Sequence, residues 1–235
     1  MTGIYSAAAG MAAQQTWLDA LANDLANVNT PGYKSQRVAF RDLVYDSNGA
    51  GAGAAAAVLG ASSAQGTIQP TDDPLALAIE GPGFFQVRRP DGTLALTRNG
   101  AFHVDSTGAI VTGTGDHLAP PLTLPRGVVP QDLVIAADGS VTTPDGRKLG
   151  TIEIVDVPAP DNLQPIGGGL FAVTAASGRP VPAKGTIRQR ALEASNVDIA
   201  DALTSLIEAQ RAFQLESRAV STQDQLLEIA NQLRR

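Results

Sequence analysis

The chain has no cysteine, which excludes disulfides, thiolate-ligated metals and cysteine nucleophiles and is compatible with folding in an oxidising compartment. It has two histidines and an aromatic content of 4%, so its cores are built from Ala, Val, Leu and Ile. No run approaches the roughly 18 to 20 apolar residues of a membrane span. Residues 1–10 carry no Lys or Arg and no block of large apolar residues, so a cleavable signal peptide is not expected, and export would need another route. A formal charge of −6 gives no basic footprint for nucleic acid or for anionic lipid. What is present is 235 residues, 43% of them hydrophobic, enough for one large domain or two small ones.

The longest uninterrupted periodic stretch is residues 195–235, free of Gly and Pro, which predicts one long helix. Ser195 and Asn196 are suitable N-caps, Asp198 and Asp201 suit the first turn, and Arg234 and Arg235 suit the last. Steps of seven from Ile199 reach Leu206, Phe213, Val220 and Leu227, with small residues at Ala202, Ala209, Ala212 and Ala219 beside them. A strict heptad favours a gentle left-handed supercoil around a partner. The seam is imperfect, because the line Leu203, Gln210, Ser217, Asp224 turns polar and Leu215 and Ile229 lie on the far side of the helix. One partner cannot cover both sides.

Residues 3–28 repeat the pattern, with Ile4, Met11, Leu18 and Leu25 at steps of seven, and so supply a partner within the chain. Gly3 and Gly10 lower helix propensity by roughly 1 kcal/mol each, so this helix forms only when packed. It stops near Asn29, where Thr30 precedes Pro31 and Gly32 permits a reversal. Residues 38–45 suit a strand or a short extension. Residues 47–63 are a Gly/Ala stretch that suits either a flexible loop or a hairpin arm ordered by a neighbour. From 67 to 190, short apolar alternations separated by Pro90-Asp91-Gly92, Asn99-Gly100, Thr107-Gly108, Asp138-Gly139 and Pro144-Asp145-Gly146 predict one antiparallel β domain. The expected class is α+β: a terminal helical core from 1–36 and 191–235, a 37–66 arm, and an inserted 67–190 β domain.

Candidate chemistry is sparse. His103 and His117, near Asp105 and Asp116, are two ligands of a type that usually comes in threes. Gly81-Pro82-Gly83 and Gly167-Gly168-Gly169 lack the Lys-Ser/Thr pair and helix start of a phosphate loop. Asp72 and Asp73 sit beside Pro74 in a polar loop. No catalytic, cofactor or metal residue is expected. The residues are also compatible with a soluble ligand-binding β module with a helical hairpin and with a hydrolase built on His103 or His117.

The stretch from Ala22 to Lys34, with Asn23, Asn27, Asn29, Thr30, Pro31, Gly32 and Tyr33, resembles the signature of the bacterial flagellar rod, hook and hook-associated proteins. Residues 74–87 and 90–102 are similar to that family's first β segment, and 192–198, 209–213 and 221–227 to the rod-protein ending, with the distal rod branch nearest and the proximal next. The resemblance implies a rod subunit of the basal body, in the cell envelope, exported unfolded without a cleaved signal by the flagellar type III apparatus. It implies a helical homopolymer that contacts other rod subunits, the hook protein and the surrounding rings, with neither nucleic acid nor membrane insertion. The spine residues and Leu215 and Ile229 would then form subunit core and polymer interface.

Overall fold

The computed structural model describes residues 2–44, 51–125 and 127–233. It has the expected α+β class, two long helices with antiparallel β structure inserted between them. It divides into two compact units. One comprises Met1–Ala26, Gln36–Leu59 and Asp198–Arg235, the other Asn27–Ser35 and Gly60–Val197. Segments 27–35 and 191–197, placed with the helices by the sequence pattern, thus group with the β structure.

In the helical unit, α1 (Thr2–Ala26) packs on α2 (Ile199–Leu233). Both helices bury alanines seven residues apart, Ala13 and Ala20 on α1 and Ala202 and Ala209 on α2. Met11, Leu18, Leu25, Leu206, Phe213 and Val220 are half-buried, and Ile199 is 50% exposed. The side chains of Ile4 and Leu227, and Arg234 and Arg235 entirely, lie outside the described residues.

Helix α2 begins later than its sequence suggests. Asp198 caps it, its Oδ1 accepting the backbone N–H groups of Ala200 and Asp201 at 2.8 and 3.2 Å. Ser195 and Asn196 are used elsewhere: the Ser195 hydroxyl accepts the Val197 N–H, and Asn196 serves a junction described below.

Strands β1 (Gln36–Val44) and β2 (Gly51–Ala61) pair in a two-stranded sheet, so this part of the Gly/Ala stretch is a strand. Residues 45–50, with Tyr45 and the start of that stretch, lie outside the described residues. The sheet is tied to α1. Phe40 meets Trp17 edge-on at 5.7 Å, the buried Asp24 carboxylate accepts the Gln36 N–H at 3.0 Å, and Gly53 lies so close that a Cβ would sit 2.8 Å from the Ser6 carbonyl oxygen. The small residues that looked unable to build a core are what lets a strand lie flat on a helix.

The β unit is built from β3 (Ile68–Pro70), β4 (Leu77–Glu80), β5 (Phe84–Arg88), β6 (Leu94–Thr97), β7 (Phe102–Val104), β8 (Ile110–Thr112), β9 (His117–Leu118), β10 (Val134–Ile135), β11 (Ser140–Thr142), β12 (Lys148–Thr151), β13 (Ile154–Asp156), β14 (Gln164–Gly167), β15 (Leu170–Ala172), β16 (Val181–Pro182), β17 (Thr186–Gln189) and β18 (Ala191–Glu193). The main sheet runs β14-β15-β6-β5-β9-β8-β7, with β13 also on β5. Both faces of β5 are covered, because alternate side chains enter different cores. Phe85 and Val87 join Leu77, Ile79, Phe102, Ile110 and Leu118, whereas Phe84 joins Leu96, Val157, Leu163 and Phe171.

Three hairpin turns share one device. Asp91, Asp105 and Asp138 each accept both the backbone N–H and the hydroxyl of the residue two further on, Thr93, Thr107 and Ser140, at 2.6–2.9 Å. Those hydroxyl bonds hold the three carboxyls below the usual range.

Candidate functional site

The signature between the first helix and the first strand is a docking segment within the β unit. Asn27 closes the turn: its carbonyl oxygen accepts the Thr30 N–H at 3.0 Å and its Oδ1 the Thr30 hydroxyl at 3.2 Å. Pro31 then directs Gly32 against the strand that leaves the unit, and the Gly32 N–H donates to the Glu193 carbonyl at 2.7 Å. Asn196 locks the next residues. Its N–H donates to the Tyr33 carbonyl at 3.3 Å, its Oδ1 accepts the Ser35 N–H at 2.8 Å and its Nδ2 donates to the Ala64 carbonyl at 3.0 Å. Asn23 and Asn29 are exposed.

Beneath this backbone clamp lies a buried charge network. The Glu193 Oε1 accepts from Lys34 Nζ and from the Gly66 N–H at 2.9 Å, and its Oε2 accepts from Arg98 Nη1 at 3.1 Å. All three side chains are almost wholly enclosed. Lys34 also reaches the Ala64 carbonyl, Arg98 reaches those of Ile79 and Gly81, and the guanidinium stacks 5.3 Å above the Phe84 ring. Burial lowers the pKa of Lys34, with Glu193 opposing that shift and Arg98 adding to it, and burial likewise lowers Arg98. Two cations sharing one carboxylate tie residues 34, 98 and 193 together. Lys34, Arg98 and Glu193 all lie inside the family-like stretches of the sequence, where charges set among apolar residues are the available signal for the network.

Gly32 is fixed twice over. Its φ is +67°, and a Cβ there would lie 2.4 Å from the Arg98 carbonyl carbon and the Asn99 nitrogen. Gly32→Ala therefore combines left-handed strain of about 1–2 kcal/mol with a backbone overlap. We expect a loss above about 2 kcal/mol in urea unfolding, whereas Gly92→Ala, with φ +84° and open space around it, costs the conformational part alone.

The histidines do not converge. Val111 pairs with both His103 and His117, so they stand two strands apart, about 10 Å at ordinary strand spacing. Among the described residues no group of three or more His, Asp or Glu is placed to hold a metal ion, and no helix is long and apolar enough to cross a membrane.

The second feature is on α2. It exposes Ile199, Leu203, Ile207, Leu215, Leu226 and Ile229, with Leu215 65% and Ile229 52% accessible. With 35 residues against 25 in α1, about 15 Å of α2 extends past any overlap with α1. Glu216 rests against Gly10, and among the described residues Glu216 Oε2 and Gln14 Oε1 are enclosed without a donor; an enclosed acceptor left unpaired costs on the order of 1 kcal/mol or more.

Comparison with known proteins covers the whole chain. The family described as "Flagella basal body rod protein" matches residues 4–34, "Flagellar hook protein FlgE/F/G D1 domain" matches 78–143, and "Flagellar basal body rod FlgEFG protein C-terminal" matches 188–233. The first match ends at Lys34 and the last contains Glu193, so both meet in the clamp. Among relatives, the flagellar basal-body rod protein FlgG of Borreliella burgdorferi is 37% identical, over all of this chain and 99% of its own length. Those of Caulobacter vibrioides and Bacillus subtilis are each 36% identical over the full length of both chains.

Proposed function

This chain belongs to the flagellar basal-body rod protein family and is a structural subunit of the rod, and from that premise we propose that it polymerises through the outward face of α2. It resides in the flagellar basal body and assembles with other rod and hook components. The observation that carries the proposal is the uncovered helix: among its described residues α2 fully buries only Ala202 and Ala209 and exposes six large apolar side chains. That is a large unpartnered stripe for a soluble monomer. In the polymer, copies of the same chain cover it, Leu215 and Ile229 touch neighbours, and the half-buried spine from Met11 to Leu25 and from Leu206 to Val220 forms the subunit core.

The further partners in this proposal are the surrounding ring proteins and the type III export apparatus, which carries the chain out unfolded and without a cleaved signal. Weak closure of the seam supports passage as an open chain. We assign the protein no enzymatic activity and no cofactor, a view that the separation of His103 and His117 supports. The ligand-binding alternative would use a cavity of about 320 Å³ beside Lys34, Arg98, Phe84 and Phe171. There the cations already donate to Glu193 and to carbonyl oxygens, which leaves little to orient a ligand.

A cryo-EM map of purified basal bodies tests the proposal. We expect this chain in the rod with the outward α2 residues against a neighbouring copy. Finding that face against solvent overturns it.

A further inference from the structure

Among the described residues, every positive φ belongs to a glycine except one. Arg190 has φ +56°, a left-handed conformation in which a Cβ crowds its own backbone and which glycine adopts freely. The kink itself is part of the fold. Between β17 and β18 the chain changes neighbours, Gln189 pairing with Leu77 and Ala191 with Pro70, and at that step the Arg190 carbonyl oxygen accepts the Thr71 N–H at 2.9 Å. Glycine at 190 would make the same turn without strain. The arginine side chain gives its own chain nothing in return: it is exposed, and among the described residues it has no hydrogen bond, ion pair or ring contact. Arg188, two residues earlier and also exposed, is paired with Glu80 at 3.1 Å.

Backbone strain of this kind persists where the residue that bears it is used, and here the use lies outside the chain. With 23 acidic side chains against 17 basic ones, copies brought together repel each other, and an unpaired guanidinium at their contact offsets that repulsion by meeting a carboxylate. We propose that Arg190 is an intermolecular anchor, its guanidinium held by an Asp or Glu carboxylate of a neighbouring copy, so that the β unit has a polymer contact in addition to that of α2. The neighbour rests on the rod reading, whereas the strain and the missing partner within the chain do not.

Two substitutions separate strain from charge. Arg190→Gly should raise the urea midpoint of the β unit by roughly 0.3 M and lower rod yield in cells about tenfold. Arg190→Gln, which keeps the strain and drops the charge, should lower the yield while the midpoint stays at the parent value. A midpoint that does not rise in Arg190→Gly overturns the proposal, as does a normal yield in either variant. Arg190→Lys then identifies the neighbour, because a carbodiimide joins its amine to a carboxylate in contact with it. In rods assembled from this variant together with the parent, we expect a covalent dimer of the chain linked through position 190, which parent rods and the dilute variant do not give. A link from position 190 within one chain, to a different protein, or to nothing overturns the proposal. Failure of the rod reading would show separately, as parent chain missing from purified basal bodies.

Discussion

Glu193→Ala should unfold the β unit under conditions in which the parent remains folded, with an expected loss of about 3–5 kcal/mol. The substitution leaves Lys34 and Arg98 enclosed without their shared carboxylate, and it strips the Gly66 N–H of its acceptor. Desolvated cations have no inexpensive alternative there, so the backbone clamp from Gly32 to Asn196 must open to hydrate them. Against a typical domain stability of 5–15 kcal/mol, that is a large share. Lys34→Met should cost less, because Glu193 keeps Arg98 and Gly66. The check is urea unfolding of the full chain followed on the β unit. A Glu193→Ala midpoint equal to that of the parent would mean that the network contributes nothing and that the clamp is held by its backbone bonds alone.

Phe213→Asp, or Leu206→Asp, should abolish rod formation while leaving the β unit folded. Both residues are half-buried in the helical unit, so a carboxylate there would lose part of its hydration. Neither residue belongs to the β unit, whose melting should be unchanged. Leu215→Asp makes an informative contrast. It lies on the outward face, so the helix pair should survive and only the contact with a neighbouring copy should fail. Helicity of the dilute chain and rod yield, measured together, separate the two cases: the first substitutions lower both, the last lowers yield alone. Intact rods from Phe213→Asp would contradict the seam.

The sequence shows the helices and the β class because both rest on local periodicity: seven-residue steps from Ile199, and short alternations between Asp-Gly turns. It shows less of how the helices meet. Hydropathy draws attention to Leu206 and Phe213, yet the apolar residues buried on the two helices are Ala13, Ala20, Ala202 and Ala209, too small to stand out by transfer energy. The Gly/Ala stretch is ambiguous for the same reason, since Gly53 makes sense only once Ser6 lies against it. The start of α2 is displaced because Asn196, a fitting cap by type, is held by Tyr33, Ser35 and Ala64. The Lys34–Glu193 contact joins residues 159 positions apart, and no local pattern announces such a pairing. The signature from Asn27 to Tyr33 was legible as a motif, whereas its role as a strap across the exit of the β unit is visible only in three dimensions.

The central claim, that the outward face of α2 is the polymer contact, is tested most directly by thiol accessibility. The chain has no cysteine, so Leu215→Cys carries a single reactive group. Its alkylation should be fast in the free chain, where the parent side chain is 65% exposed, and slower by about tenfold or more in assembled rods. Equal rates in the two states would contradict the account.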